Sequence, residues 1–241
     1  MTIGVNKEKK MNYMSPDNKW IGKPTIRPDG IEKVTGSAQY AADYTMPGMV
    51  WGKVLRSPHA HALIKKIDTS KAEALQGVLA VMTGADLPTL PLDVPLPTGP
   101  NDIRWISRGC MAQEKILYVG HPIAAVAATS QEIAIAALDL IEVDYEVLPH
   151  VIDVDEAVAP GAPILHDWIK TEGIDGPTNI SNIMTVKTGD VEKGFGEADL
   201  VVERDFKSAA VHQGYLEPQS CVVSYKPDSQ STIWSSSQGQ F

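Results

Sequence analysis

The sequence predicts an α+β protein with two domains, and three observations carry that prediction. Residues 62–82 and 123–147 each run from a strand-like segment through a helix-like one to a second strand. Residues 123–128 form a continuous apolar run, which is typical of a strand in the middle of a covered sheet. From residue 181 onward the pattern changes to short strands, which indicates a second, β-rich domain.

Composition and charge limit the class of protein. The 241 residues, of which 43% are hydrophobic, can form a packed core. The net charge of −9 argues against a nucleic-acid-binding surface, which needs clustered Lys and Arg. No apolar run approaches the roughly 20 residues that span a membrane, and the first residues lack the features of a secretory signal. We therefore expect a cytoplasmic protein.

The first part of the chain predicts an arm, a loop and one strand–helix–strand unit. Residues 1–20 are polar and aperiodic, which predicts a flexible arm, and residues 22–40 are rich in turn residues, which predicts a shaped loop. Strands are expected at 50–55, 62–68 and 78–82. Ser70 and Glu73 have capping-box spacing, so a short helix should begin there and end near Gly77. Residues 87–100 hold five prolines and predict a surface loop.

The second strand–helix–strand unit begins with the apolar run at 123–128. Thr129 and Glu132 have the spacing of another capping box. Apolar residues then recur at helical spacing on one face, at Ile133, Ala134, Ala137, Leu138 and Ile141. Residues 141–147 alternate apolar and acidic side chains, which predicts a half-buried strand.

The remainder of the chain predicts a linker and an incomplete domain. Residues 151–180 are rich in Gly and Pro and read as a linker between a domain at 21–150 and another at 181–241. In the latter we expect strands at 183–186, 200–206, 221–225 and 231–234, and a turn at 189–196. About 60 residues with four short strands bury little apolar area. We expect the rest of this domain, and of any site in its last loop, later in the chain or on another chain.

Isolated cysteines and histidines give no metal signature. Cys110 and Cys221 lie far apart without metal-ligand spacing, and we expect both to be small buried hydrophobic residues. His59 and His61 would share a face of a strand, where packing is favoured over metal binding. His121 and His150 lie beside prolines at the ends of elements, where we expect ordinary loop positions, and the sequence indicates no partner for His166.

The stretch 211–219, Val-His-Gln-Gly-Tyr-Leu-Glu-Pro-Gln, is the densest in polar and aromatic side chains. Its pattern is equally that of a functional turn with Glu217 and that of an ordinary connecting loop, and both interpretations stay open. The carboxylates Asp43, Glu114 and Asp139 have no partner at a spacing that predicts one pocket. No general acid/base pair, and no self-contained active site with catalytic residues in this chain, can be named.

Several of these stretches occur together, and in the same order, in one family. The chain resembles the large, molybdenum-cofactor-binding subunit of the xanthine dehydrogenase and aldehyde oxidase family over residues 21–241. The stretches that carry the resemblance are Arg27-Pro28-Asp29-Gly30-Ile31-Glu32-Lys33-Val34-Thr35-Gly36 with Tyr40-Ala41-Ala42-Asp43, Arg56-Ser57-Pro58-His59-Ala60-His61-Ala62, Tyr118-Val119-Gly120-His121-Pro122-Ile123-Ala124-Ala125-Val126-Ala127-Ala128, Val143-Asp144-Tyr145-Glu146-Val147-Leu148-Pro149 and His212-Gln213-Gly214-Tyr215-Leu216-Glu217-Pro218.

The resemblance implies an a/b hammerhead domain at about 30–149, followed by the start of a β-rich molybdopterin-binding domain. It also implies a role for Gln238 and Gly239, because Ser236-Ser237-Gln238-Gly239 resembles a loop whose Gln carboxamide hydrogen-bonds an oxygen ligand of the metal. An amide donor suits that task because it adds no charge beside a redox-active metal. Gln238 would thus lie in the outer shell of molybdenum, and no residue of this chain would bind the metal directly.

The resemblance implies a cofactor and partners as well. Such enzymes hydroxylate a heteroaromatic or aldehyde carbon with oxygen from water, or reduce an aromatic thioester. They use molybdenum–molybdopterin, with [2Fe-2S] clusters and usually FAD on other domains or subunits. We expect this chain to be inactive without the C-terminal part of the molybdenum subunit. Aldehyde, purine, nicotinate and aromatic thioester substrates all stay open. The alternative is a non-catalytic assembly or binding module that retains the hammerhead scaffold.

Overall fold

The computed structural model describes residues 19–87, 103–168 and 171–237. The chain divides into two compact units, one of residues 47–206 and the other of residues up to 46 together with those from 207 onward. Helices and antiparallel sheets both occur, so the predicted α+β class is confirmed. The predicted arm at 1–20 and the proline-rich loop at 87–100 lie almost wholly outside the described residues.

The helices and strands are short and follow one another closely. In chain order they are α1 (Gly30–Thr35), β1 (Trp51–Arg56), β2 (Ala62–Asp68), α2 (Ser70–Glu73), β3 (Val78–Thr83), α3 (Ile103–Cys110), β4 (Lys115–Ile116), β5 (Pro122–Ala128), α4 (Gln131–Leu138), β6 (Glu142–Val147), α5 (Val154–Ala157), α6 (Val191–Gly196), β7 (Cys221–Ser224) and β8 (Thr232–Ser235). Single 3₁₀ turns occur at Ala41–Asp43 and Gly84–Asp86.

Two three-stranded antiparallel sheets form the body of the larger unit. In the first sheet β5 lies between β1 and β3, and in the second β2 lies between β4 and β6. The apolar run at 123–128 is therefore a central strand, as its composition predicts, with Ile123, Ala124, Val126 and Ala128 buried. Ala125 and Ala127, on the opposite face from Ala124, Val126 and Ala128, are only partly buried, so one face of the strand is more deeply covered than the other.

Each strand–helix–strand unit passes from one sheet to the other. The unit β2–α2–β3 starts in the second sheet and ends in the first, and β5–α4–β6 runs in the reverse direction. The two units therefore do not build a parallel sheet, which is the usual product of such repeats. The crossings link the two sheets into one unit.

Small side chains let α4 lie close to the first sheet. Ala137 clusters with Ala72 of α2, Ala124 and Val126 of β5, and Ile141 just beyond the helix. Alanine loses no rotamer entropy on burial, so this contact orders few torsions. The close approach of helix and sheet fixes the position of the turns between them.

The two helices of these units begin one residue away from the predicted caps. The N-cap of α2 is Thr69, and that of α4 is Ser130, whose Oγ accepts a hydrogen bond from Ile133 N at 3.3 Å. The Ser70 hydroxyl donates to Asp68 Oδ1 at 2.6 Å instead of capping the helix. Neighbouring hydroxyls and carboxylates compete for these positions, and spacing alone does not decide which one caps.

Two glycines occupy places where a side chain would be strained. Gly77 has a φ of +96°, and a Cβ there would lie 2.7 Å from Ile133 Cδ1. At Gly84 a Cβ would lie 2.1 Å from the carbonyl oxygen of Ala112 and 2.8 Å from Gln113 Cα. The second clash is with backbone, which cannot move aside as a flexible side chain can.

A buried histidine joins α3 to the turn between β4 and β5. His121 is fully buried; its Nδ1 accepts from Leu117 N at 3.2 Å, and its Nε2 donates to the Arg108 carbonyl at 2.8 Å. Burial lowers the pKa of His121, so the ring is neutral at pH 7. His121 lies in the loop directly before β5, as expected, and is a buried structural group there, stacked on Tyr118 with ring centroids 4.4 Å apart.

The chain after β6 is fixed to the second sheet. His61 Nδ1 lies 2.6 Å from the carbonyl oxygen of Pro149. Lys115 Nζ donates to the Leu165 carbonyl at 3.2 Å and forms an ion pair with Asp167 at 3.0 Å. These contacts hold residues 149–167 against the strands that supply them.

One asparagine closes the same segment into a loop. The Asn179 amide nitrogen donates to the carbonyls of Ala157 and Pro163, both at 2.9 Å, and its oxygen accepts from Leu165 N at 3.1 Å. The described residues of the predicted linker, 151–168 and 171–180, are thus hydrogen-bonded and lie in the larger unit. The predicted boundary between the two domains stays a prediction.

Two of the four strands predicted after residue 181 pair with each other, and two pair with nothing among the described residues. The confirmed pair is β7 and β8, in antiparallel register. Residues 183–186 and 200–206 form no ladder. The predicted turn at 189–196 is wrong, because Val191–Gly196 is a helix whose N-cap, Asp190, accepts from Lys193 N at 3.0 Å.

The predicted loop at 22–40 contains the helix α1. It ends at Gly36, whose φ of +75° and N–H contacts with the Glu32 and Lys33 carbonyls make a left-handed C-cap. Arg27 and Lys33 lie beside Asp29 and lower the pKa of that carboxyl to about 2. The turn residues of this stretch therefore delimit a helix rather than an irregular loop.

Candidate functional site

The hairpin of β7 and β8 leads into the predicted site loop. Val222 is paired with Trp234, and Cys221 with Ser235, so β8 ends opposite the start of β7. The loop of interest, 236–239, follows at once. Gln238 and Gly239, the two predicted contact residues, lie outside the described residues, so the described part of the site ends at residue 237.

Ser236 fixes the start of the loop. Its Oγ accepts from Ser220 N at 2.9 Å and lies 3.2 Å from the Pro218 carbonyl, to which it can donate. Its own N–H donates to the Ser220 carbonyl at 3.3 Å, and Ser237 N donates to the Ser235 carbonyl at 3.0 Å. The backbone is thus held on both strands up to the residue before Gln238.

Ser220 adds a polar group without a partner. Its hydroxyl oxygen is buried and makes no hydrogen bond with any other residue that the structure describes. Such atoms are rare in folded proteins, and each points to a missing partner. The sequence gives no signal for Ser220, since its position opposite Ser236 follows only from the hairpin register.

The 3₁₀ turn at Ala41–Asp43 lies beside the hairpin. Tyr44, just after the turn, stacks on Trp234 of β8 with ring centroids 5.2 Å apart. Asp43 accepts from Tyr40 N at 3.0 Å and so closes the turn. Ala41 is buried there. Asp43 therefore has a local structural role.

The stretch 211–219 is held by contacts within itself. His212 Nδ1 accepts from Gly214 N at 3.0 Å, and the Gln219 amide donates to the Tyr215 hydroxyl at 2.5 Å. Gly214 has a φ of +64°, which this turn requires. Glu217 is exposed. These contacts are those of a connecting loop, and they bring Glu217 to no described catalytic group.

The remaining candidates are dispersed. Asp139 is the C-cap of α4, and Glu114 is exposed just before β4. His59 packs edge-on against Tyr145 at 4.9 Å, in agreement with the favoured packing role. Within residues 19–87, 103–168 and 171–237, no three His, Cys, Asp or Glu side chains are grouped to hold a metal ion.

The expectation that both cysteines are buried is wrong. Cys110 and Cys221 are exposed and unpaired thiols. Cys110 is the last residue of α3, and Cys221 is the first of β7, so each sits at an element end that nothing described covers. Burial statistics for free cysteine describe complete cores, and these two positions are outside the core.

A groove in the larger unit was not predicted from the sequence. It has a volume of about 300 Å³ and is lined by Leu63, Lys115, Asp167 and Trp168 among others. The Arg108 guanidinium lies over the Trp168 ring, 5.1 Å from its centroid. Glu114 also lines the groove, beside the ion pair of Lys115 with Asp167. The described helices include none long and apolar enough to cross a membrane.

Two family models match the chain in order. The a/b hammerhead domain of aldehyde oxidase and xanthine dehydrogenase matches residues 35–149, and the molybdopterin cofactor-binding domain matches residues 174–241. The second match includes the hairpin and the loop at 236–239.

Curated proteins match most of the chain. A probable xanthine dehydrogenase subunit from Bacillus subtilis is 38% identical over 220 residues, which cover 90% of this chain and 27% of that protein. A nicotinate dehydrogenase large molybdopterin subunit from Eubacterium barkeri is 32% identical over 227 residues, which cover 93% of this chain and 49% of that protein.

A solved structure shares the fold. Reconstituted CO dehydrogenase from Oligotropha carboxidovorans is 36% identical, with a TM-score of 0.69 over 89% of this chain and 27% of that one. The chain therefore spans about a quarter to a half of the length of the relatives it matches.

Proposed function

The chain belongs to the aldehyde oxidase and xanthine dehydrogenase family, and on that premise we propose that it forms the first part of the molybdopterin-binding subunit of a molybdenum hydroxylase. The observation that carries the proposal is the order of the two family matches on one chain, with the hammerhead first and the cofactor-binding domain second. The match over 174–241 speaks against a scaffold that has lost the cofactor-binding part. We place the hammerhead domain at 21–150, the linker at 151–180 and the molybdopterin-binding part from 181.

The residues next to Gln238 fit a place beside such a cofactor. The backbone is fixed up to Ser237, and the buried Ser220 hydroxyl has no partner among the described residues. Hydroxyl and amide groups can donate to oxygen or sulfur ligands without adding charge. We propose that Gln238 and Gly239 contact the molybdenum cofactor, with Gln238 donating from its amide.

When bound, the molybdenum cofactor would supply the redox centre at which oxygen from water is transferred to carbon. The contribution of this chain is to hold the loop at 236–239 and to orient it toward the cofactor. The β7–β8 hairpin positions the loop, and the Tyr44–Trp234 stack supports the strand that precedes it. No carboxylate of the chain is proposed as the base.

We further propose that the complete enzyme includes the rest of the molybdenum subunit, with [2Fe-2S] clusters and FAD on partner subunits. The substrate is a heteroaromatic ring or an aldehyde in this proposal. The relatives are described as subunits or large chains, which supports assembly with other polypeptides. The cytoplasmic location stays a prediction.

The test joins this chain to the remainder of a relative. In a host that makes the molybdenum cofactor, the chain replaces the matched segment of the Bacillus subtilis protein, and molybdenum per polypeptide and oxidation of purines and aldehydes are measured. We expect molybdenum to be retained. A fusion that folds but holds no molybdenum would contradict the proposal and favour the assembly module.

A pair of variants of the fusion tests the contact between Gln238 and the molybdenum cofactor. Gln238→Ala should lower turnover about 10- to 100-fold, the effect typical of outer-shell partners of a metal site. Gln240→Ala, the same change two residues on, is the matched control and should retain activity. Equal activity of the two variants would remove Gln238 from the site.

A further inference from the structure

The larger unit carries strand-like segments that have no strand beside them. Residues 183–186 and 200–206 have the apolar composition of strands, yet no backbone N–H or C=O of either segment bonds to another described backbone group. Met184 is 83% exposed, Leu200 79% and Phe206 92%. Exposed large apolar side chains next to free backbone groups mark a surface for another polypeptide.

A groove of about 370 Å³ lies along one of these segments. It is lined by Val191 and Phe195 of α6 and by Leu200, Val201 and Val202, all of them apolar. We define the acceptor surface as residues 183–186, helix α6 and residues 200–206. It offers an edge for hydrogen bonds and, beside that edge, a place for an apolar side chain.

The β7–β8 hairpin shows what such a sequence does when a partner is present. Val222 and Val223 pair with Trp234 and Ile233 in a regular ladder. Segment 200–206, which begins Leu-Val-Val, has comparable strand propensity and differs in having no neighbour among the described residues. A strand beside residues 200–206 would supply the same kind of pairing.

The charge of the acceptor surface limits the kind of partner. Three side chains of the acceptor surface are acidic and two are basic. Nucleic acids and anionic membranes are attracted to basic clusters, so neither suits this surface. A polypeptide strand with apolar side chains on one face can form the backbone hydrogen bonds and can also place an apolar side chain in the groove.

We infer that the acceptor surface binds a β-strand from the remainder of the molybdenum subunit. This inference rests on the proposed function. The segment matched in the Bacillus subtilis relative covers only 27% of that protein, so family members contain the additional polypeptide that this surface requires. The added strand pairs with residues 200–206 and places an apolar side chain in the groove, as in other cases of β-strand addition.

The experiment uses the whole chain and a separate polypeptide as the probe. The probe is the part of the Bacillus subtilis protein that follows the matched segment. Binding is measured by titration calorimetry, and hydrogen exchange is followed at the amides of 201–206. We expect binding and slower exchange at these amides in the complex.

Variants distinguish binding at the acceptor surface from nonspecific hydrophobic binding. Val202→Pro removes a backbone donor at an exposed position, and Phe206→Asp adds a charge; each should weaken binding about tenfold or more. Ile152→Asp changes an equally exposed apolar side chain outside the surface and should bind as the unchanged chain does. Denaturant unfolding of each variant checks that the fold is retained.

Other outcomes overturn the inference. Binding that both variants leave unchanged places the contact elsewhere, and a chain that instead dimerises through residues 200–206 makes a second copy the occupant. Failure of the unchanged chain to bind the probe also overturns it. The molybdenum content of the covalent fusion decides the proposed function separately, because the fusion does not depend on association of two chains.

Discussion

The central strand β5 and the segment 200–206 both contain apolar residues typical of strands, but residues 203–205 are charged and the two segments have opposite structures. β5 contains Ile123 and Val126, both buried, and has a strand on each side. Residues 200–206 begin with three apolar residues and end with Phe206, but remain exposed and unpaired among the described residues. The wholly apolar segment with a strand on each side is buried, and the partly charged segment without a described neighbour stays exposed, in keeping with a strand propensity that depends on context.

The largest expected effect comes from the tightest backbone contact beside the sheets. Gly84→Ala should lower the free energy of unfolding by about 3 kcal/mol, because its Cβ would meet backbone atoms of Ala112. Gly52→Ala is the matched control, since nothing lies within 4 Å of a Cβ there. Urea unfolding of both variants checks this. Equal stabilities would contradict the prediction and would mean that the backbone around Gly84 shifts to accept a methyl group as easily as the open space around Gly52 does.

The next effect tests the buried histidine. His121→Phe should cost about 2 kcal/mol, because it leaves the Leu117 N–H and the Arg108 carbonyl buried without partners. His59→Phe keeps a ring against Tyr145 and should change stability little. If His121→Phe unfolded at the same urea concentration as the unchanged chain, α3 would not be held by this ring.

A pair of helix caps compares the two regions directly. Ser130→Ala should lower the free energy of global unfolding by about 1 kcal/mol, since α4 packs on the first sheet. Asp190→Ala removes the cap of α6, which has no buried residue, and should speed hydrogen exchange in 191–196 without changing global unfolding. A global effect of Asp190→Ala would show that α6 is part of the same cooperative unit.

The smallest expected effect is the pH dependence of the free energy of unfolding. Burial lowers the pKa of His121 and His166 in the folded state, so the unfolded chain takes up protons first as the pH falls below the ordinary value of 6.5. The free energy of unfolding should therefore be lower at about pH 5.5 than at about pH 7.5. His121→Phe should reduce this difference, and a difference as large as in the unchanged chain would assign it to other groups.

The sequence predicts those parts of the fold that depend on local pattern. Three such predictions are confirmed: the apolar run of β5, the helical spacing of α4 and the alternation in β6. They could be made because the burial of a helix or strand determines which of its positions are apolar. The sheet partners are different. β1 pairs with β5 and β2 with β6 across long stretches of chain, and no residue in either strand indicates its partner.

The site is less predictable than the fold for a related reason. Gln238 and Gly239 are identified by resemblance alone, since an amide and a glycine have no pattern of their own. The Ser220–Ser236 contact depends on hairpin register, and the burial of His121 depends on α3 reaching a turn that follows it in the chain. Contacts between side chains far apart in sequence become visible only after the strands are paired.

Both strand–helix–strand units cross between the sheets. This crossing determines the order in which the strands can pair while the ribosome makes the chain. When β1, β2 and β3 leave the ribosome, none of them has its principal partner, because β5 pairs with both β1 and β3 and β6 pairs with β2. The first sheet cannot close before residue 128 has emerged, and the second cannot close before residue 147 has emerged. The nascent chain thus exposes three unpaired strands from the end of β3 until β4 and β5 are made, and a chaperone can bind it in that interval.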